Sequence, residues 1–384
     1  MSRSARCIVR LPAVVLAVSL AAATGPSSTA HAASTLTTTA SPTYQTNGRV
    51  SAVVSIGDTT YLAGAFTAVR PAGAAVGTQE VPRQNLAAVN SATGELLPWS
   101  PTADAAVNAL AISPDGATIY AGGLFNTVSG LSRKRLAGIS AVRGEVTAFR
   151  ADTNNKVHAV AATADRVYLG GTFSLVNGQA RTRLAAVDTT GRLVPDWRPT
   201  ADAPVRSLAA PAGTTSVWVG GDFTGISGDP SQDNLAKLSS TNGAVRSLKV
   251  HPTWPVHAVV VTSAQVLAGG DGTGGNLAAY DTTGAALWSR RTDGGVQGLA
   301  LLDGVLYVGG HFDNVCVDSA CATRVTRHKL FAVNTITGDL DAWNPGANSA
   351  LGIFALDSSG GRLRAGGTFT KIGARFSQGY GQFG

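Results

Sequence analysis

No stretch of this 384-residue sequence repeats apolar residues at helical spacing, and charged residues make up only 14% of it. The first absence excludes a helical fold. Lysine and arginine never gather into a basic run, which removes the electrostatic footprint of a nucleic-acid binder, so no nucleic-acid partner is expected. The apolar run from Leu11 to Ala23 has about 13 residues, short of the roughly 20 that a spanning helix needs. The final residues, Gly381-Gln382-Phe383-Gly384, carry neither an apolar tail nor a sorting motif, so no membrane anchor is expected. Also missing are a Gly-x-Ser-x-Gly elbow, a His-Glu-x-x-His helix and a phosphate-cradling loop with a following lysine. The glycine-rich stretch Gly269 to Gly275 follows a strand without opening a helix and reads as a shortened loop. These gaps lower the expectation of an enzyme without removing it.

What stands at the start is an export signal. Arg3, Arg6 and Arg10 precede the apolar run, and Ala30-His31-Ala32 forms a small-residue cleavage site, so residues 1-32 are expected to be removed and the mature chain to be secreted and extracellular. Losing those three arginines takes the formal charge from +7 to +4, too mild to indicate a partner. Of three cysteines only Cys316 and Cys321 remain, and outside the cytosol such a pair closes a disulfide that shapes a loop. His311 and His328 lie near them, but at no metal-ligand spacing.

Glycine is abundant, at 46 residues, and it falls in a pattern. A unit of about 50 residues recurs, clearest where VHAVAA, VYLGGTF, RLAAVD and RLVPDW follow one another between His158 and Trp197. The glycine-aromatic piece ends at Phe66, Phe125, Phe173, Phe223, Phe312 and Phe369, and Gly269-Gly270-Asp271 is a degraded copy. A bulky residue closes the fourth piece at Trp99, Phe149, Trp197, Leu248, Trp288 and Trp343, each eight residues before the apolar residue that opens the next unit: Val107, Val157, Val205, Val256, Val296 and Leu351. Four short strands repeated seven times predict an all-β, seven-bladed β-propeller of four-stranded antiparallel blades. Residues 33-384 are expected to form one domain, because a single blade cannot bury both of its faces. The last unit ends before a fourth strand, and residues 35-44 precede the first, so this N-terminal strand is predicted to complete the last blade and close the ring.

Tyr168-Leu169-Gly170-Gly171-Thr172-Phe173, Arg181 through Asp188 and Trp197-Arg198-Pro199 resemble the secreted bacterial β-propeller family of unknown function built on the delta-60 repeat, with close copies around Trp99-Ser100-Pro101 and Trp343-Asn344-Pro345. The resemblance covers essentially all of the mature chain and implies the propeller fold, but carries no catalytic residues. Ala279 to Trp288 is similar, more weakly, to the repeats of quinoprotein-type propellers, whose eight blades and acidic calcium cluster are not apparent here.

First strands line the channel of a propeller, and symmetry-breaking positions there are where chemistry is sought. The position after the opening apolar residue reads Ser51, Asn108, His158, Arg206, His257, Gln297 and Gly352. Asn108, His158, Arg206, His257 and Gln297 are the candidate ligand-binding residues, suited to an anionic or hydroxylated ligand. The competing reading is a wet channel whose polar residues satisfy backbone groups and ordered water. No carboxylate completes a metal set, so no metal and no cofactor are expected. A second series, Asn47, Asp104, Asn154, Asp202, Thr253, Asp293 and Asn348, reads as local turn closure by side chains bonding the backbone two residues on. Recurrent loop arginines (Arg83, Arg133, Arg181, Arg327 and others) read as partners of loop carbonyls or of those aspartates. Two connections are long, Phe66 to Leu86 and Phe312 to Leu330, either as binding loops or as neutral insertions. Together these features favour a monomeric, non-enzymatic recognition or scaffold protein binding an extracellular glycan, peptide or cell-envelope component. The alternative is a secreted lyase or hydrolase at the channel mouth using His158, His257 and Arg206.

Overall fold

Alternating Val, Leu, Ala and Tyr, punctuated by glycines, give short strands that pair with their sequence neighbours. The computed structural model describes residues 33–249 and 251–384, and among these there are strands and turns but no helix. The expected export signal, residues 1-32, lies outside the described residues. Seven antiparallel sheets follow one another along the chain. Their first strands are Arg49–Ile56, Val107–Ile112, Val157–Ala162, Val205–Ala209, Val256–Val261, Val296–Leu302 and Ile353–Ser359. Each pairs with a second strand ending near the glycine-aromatic motif, which pairs in turn with a third, from Leu86–Asn90 in the first sheet to Tyr380–Phe383 in the seventh.

The expected fourth strand is mostly reduced. A full one is present in the fourth sheet, Val245–Arg246, and the fifth, Ala286–Thr292. Elsewhere it shrinks to single bridges: Val89 with Leu96, Ile139 with Val146, Val187 with Leu193 and Val333 with Leu340. Pro98 and Pro195, just beyond two of these bridges, have no N–H to extend a ladder.

Neighbouring sheets meet through one repeated device. A glycine near the end of the second strand lies against the Val or Ile that opens the next sheet. A Cβ on Gly122, Gly170, Gly220, Gly269 or Gly309 would sit 2.4–2.7 Å from a methyl of Val157, Val205, Val256, Val296 or Ile353. Only glycine allows that approach. Further out, Tyr61, Tyr168 and Tyr307 meet Trp99, Trp197 and Trp343 edge to face. Trp99, Trp197 and Trp288 each donate the indole N–H to a carbonyl at or one residue past the end of the next sheet's third strand, at Ser140, Ser239 and Thr335. First strands of consecutive sheets contact one another throughout, and Ile353–Ser359 also contacts Arg49–Ile56. There Gly366 meets Val50 as its counterparts do elsewhere.

The segment before Val50 is shared between two sheets: Ala40 and Ser41 lie on the seventh, while Tyr44, Gln45 and Thr46 bond loops of the first. It is not the strand expected over 35-44, since its pairing with Tyr380–Phe383 is a single bridge, Ser41 with Gln382. That bridge nonetheless matches the outer pairing of other sheets: Ser41 N–H donates to the Gln382 carbonyl at 2.8 Å, as Leu97 does to Ala88 and Asp341 to Ala332. Trp343 donates its indole N–H to the Thr37 carbonyl, and Arg375 donates to that of Ala40, as Arg133 does to Thr147.

One spacing slips. The residue opening the seventh sheet is Ile353, paired with Gly367, not Leu351, which is exposed. Two extra residues follow Trp343 before the strand begins.

Candidate functional site

Every first strand carries a β-bulge directly after its opening apolar residue. The extra residue pairs with nothing on the second strand, so its side chain is re-aimed. Those residues are Ser51, Asn108, His158, Arg206, His257, Gln297 and, correcting the expected Gly352, Phe354. All seven are partly buried. Below them the channel holds a cavity of about 210 Å³ walled by all seven first strands, Ala52, Leu110, Val160, Leu208, Val259, Leu299 and Leu356 among them. Ser51, Gln297 and Phe354 belong both to this cavity and to the bulge ring.

The chemistry divides by sector. From the third sheet to the sixth, charged and imidazole groups form a chain. Arg206 binds Asp222 through both Nε and Nη2, at 2.6–3.1 Å. His257 lies between two carboxylates, with Nε2 3.8 Å from Asp222 and Nδ1 3.7 Å from Asp271. Those distances are ion-pair separations rather than hydrogen bonds. Asp271 Oδ1 is shielded and has no partner; it fills the notch over Gly295, where a Cβ would lie 1.6 Å from it. His311 Nε2 accepts the Gly295 N–H at 3.0 Å, which assigns the neutral ring its proton on Nδ1.

Burial, reinforced by Lys156 and Arg206, pushes His158 down to about 4, leaving it neutral at pH 7. Burial also lowers His257, with Arg206 and His311 acting in the same direction and the two carboxylates opposing. Sequence reasoning found His158, Arg206 and His257 but missed Asp222, Asp271 and His311. These three occupy the variable place of the Gly-Gly-x-Phe motif and its degraded copy, where other sheets carry Ala65, Leu124, Thr172 and Thr368. A motif treated wholly as scaffold hid its one free position.

Other groups around the mouth are left without partners. Asn108 makes no side-chain hydrogen bond, and its Nδ2 is shielded from solvent. Gln297 Oε1 is likewise shielded and unpartnered. Arg49 and Lys156, one residue before the openings of the first and third sheets, were also missed by sequence reasoning. The Arg49 guanidinium lies 5.6 Å from the Phe354 ring centre. Burial lowers Lys156, and the charges of Arg206 and Arg49 lower it further.

The other expected features are scaffold, by a route different from the one anticipated. Asn47, Asp104, Asn154, Asp202, Asp293 and Asn348 do not close local turns. Their side-chain oxygens accept backbone N–H groups about 20 residues away, at the start of the loop after the second strand: Asp104 holds Asn126 and Thr127, and Asn348 holds Thr370 and Lys371. In the fifth sheet the second strand runs directly into the third, so that loop is missing, and no side-chain hydrogen bond of Thr253 is formed. Arg83, Arg133 and Arg327 bind outer carbonyls of their own sheets. Cys316 and Cys321 form a disulfide with Cα atoms 4.8 Å apart. It lies in the second long connection, which is an ordered hairpin of Asn314–Cys316 and Arg324–Thr326. The first long connection pairs with Gln45–Thr46.

Larger clefts occur between sheets, one of about 400 Å³ beside Asp202 and one of about 360 Å³ beside Arg166. Their polar groups are already engaged, Asp202 by Thr224 and Arg166 by the Ser240 and Thr241 carbonyls. Among the described residues no group of three or more His, Cys, Asp or Glu is placed to hold a metal ion, and no helix is long and apolar enough to cross a membrane.

No family model and no curated protein matches the sequence. Among solved structures, the chain is similar to the WD40 β-propeller domain of Doa1, with a TM-score of 0.59 and 14% identity over 90% of this chain and 96% of that one. At that identity the likeness speaks to fold alone: the chain is an all-β protein with a β-propeller fold.

Proposed function

We propose that this chain is a secreted, seven-bladed propeller whose last blade is completed by the segment before Val50, and that it is a monomeric, non-enzymatic recognition protein. Its partner is an extracellular glycan, peptide or cell-envelope component, held at the bulge-lined mouth without a cofactor. Seven sheets in series and the contact between the last and first opening strands support the blade count and the closure. The family reading rests on the repeat motifs.

One observation carries the functional reading. Gly-Gly-x-Phe and the opening Val or Ile hardly vary from sheet to sheet, whereas the bulge residue takes six identities and the motif's variable residue five, with the charged and imidazole ones confined to the third through sixth sheets. Scaffold positions are nearly uniform; these are not. A glycan and metabolite binding screen on the mature protein tests the reading. Loss of the identified ligand in a folded His158→Ala, His257→Ala variant supports the mouth as the binding face, and unchanged binding moves the site to the long loops.

A second reading, a lyase or hydrolase at the same mouth, is favoured by His257 lying neutral between Asp222 and Asp271, an arrangement suited to a general base. Turnover of a screened ligand that His257→Ala abolishes would select it. Binding without turnover selects recognition.

A further inference from the structure

The mouth contains an unanswered set of donors. Asn108 stands at the bulge of its first strand, and Arg49 and Lys156 one residue before the opening residues of theirs, on three consecutive first strands that open at Val50, Val107 and Val157. Among the described residues neither the Arg49 guanidinium nor the Lys156 ammonium has a hydrogen bond or an ion pair; the Arg49 guanidinium lies over the Phe354 ring. Asn108 Nδ2, between them, is shielded and unpartnered. On the adjoining fourth sheet, Arg206 is already paired with Asp222. Two half-buried cations without a counter-charge, flanking an orphaned amide, are an expensive arrangement unless something negative comes to them.

We propose that Arg49, Asn108 and Lys156 form a binding site for a small oxyanion, a carboxylate first among them, at the end of the ligand that enters the mouth. The inference rests on the recognition reading given above and names the chemistry of its ligand. Guanidinium and amide groups are planar donors that match the two oxygens of a carboxylate, and the ammonium supplies a point charge. The open depression walled by the first strands, about 210 Å³, is lined by none of the three, which places the anion at its rim. Unpartnered Gln297 Oε1 on its rim is an acceptor for a hydroxyl.

The test is calorimetric titration of the mature protein with glucuronate, inorganic phosphate and glucose, on the wild type and on Arg49→Gln, Lys156→Gln and the double variant. The proposal requires glucuronate or phosphate to bind in preference to glucose, with each single variant weakening that anion about tenfold or more. A carboxylate ligand ranks glucuronate first, whereas a phosphorylated one ranks phosphate first. Thermal melting separates site from scaffold, because removing either of two mutually repelling, unpaired cations leaves the melting temperature unchanged or raises it. A drop in stability without loss of anion affinity, or an affinity for glucose equal to that for glucuronate, overturns the proposal. Equal glucose binding that the His158→Ala, His257→Ala variant still abolishes would leave the recognition reading standing while this one falls.

Discussion

The junction between the third and fourth sheets and the seam between the seventh and the first use the same inner contact and different outer ones. At the former, Gly170 lies on Val205, Tyr168 meets Trp197, and the Trp197 indole N–H binds the Ser239 carbonyl. At the seam Gly366 lies on Val50, but the position of Tyr168 is taken by Arg364, 1% exposed, which pairs with Asp357 and Ser359. Asp357 accepts the Ser55 hydroxyl from the first sheet. Arg70, also fully buried, binds Gln45 and Gln378 and so ties the first long connection to both ends of the described chain. Internal junctions combine apolar packing with side-chain hydrogen bonds to carbonyls, and their alignment is fixed by continuous chain. At the seam, segments more than 300 residues apart must select one register, and directional polar contacts discriminate registers better than area does.

The largest expected effect tests that contrast directly. Deleting residues 33–45 removes the acceptors of Trp343 and Arg375 and one partner of Arg70, and should lower the melting temperature by about ten degrees or more in calorimetry. An unchanged melting curve would sink the closure. Next, Asp357→Ala strands the buried Arg364 charge and should cost about 3 kcal/mol in denaturant unfolding; adding Arg364→Tyr, the residue usual at that place, should recover much of the loss. Smaller again, Trp197→Phe and Trp343→Phe each delete one indole hydrogen bond, for about 1–2 kcal/mol. Combined with the deletion, only Trp197→Phe should keep its full cost, because the acceptor of Trp343 has gone.

The last effect, seen only in acid, concerns the mouth. His158 is held near 4 against an ordinary 6.5, so the unfolded chain takes up its proton first as pH falls. Its contribution should therefore leave stability level above about 6.5 and reduce it progressively toward pH 4. His158→Asn should flatten that slope, and a slope unaltered by the substitution would show that His158 is not its source.

The repeat was legible because glycine and aromatic residues are dictated by contacts between sheets, which recur. What broke the repeat was harder to see. Phe354 escaped because Ser349 to Gly352 lengthens one crossing by two residues, and a fixed count from Trp343 ends at the exposed Leu351. Asn47, Asp104 and their equivalents were correctly judged structural, yet their partners about 20 residues on cannot be inferred from local turn chemistry. Arg49, Lys156, Asp222, Asp271 and His311 were missed for a common reason. Each is a single residue beside a repeating pattern, and only the folded sheets bring them near the bulge residues.

The single bridge between Ser41 and Gln382 bears on the order in which the molecule comes together. The hydrogen bond beside it, from Arg375 to the Ala40 carbonyl, joins residues 335 apart in sequence, so almost the whole polypeptide must be present before this contact forms. Pairing at such separation carries a large loop-closure cost and is expected among the last contacts of the described residues to form. The six internal junctions can assemble progressively as synthesis proceeds. The seam behaves as a clasp, fastened last and opened first, and hydrogen exchange should register its opening before that of any other sheet.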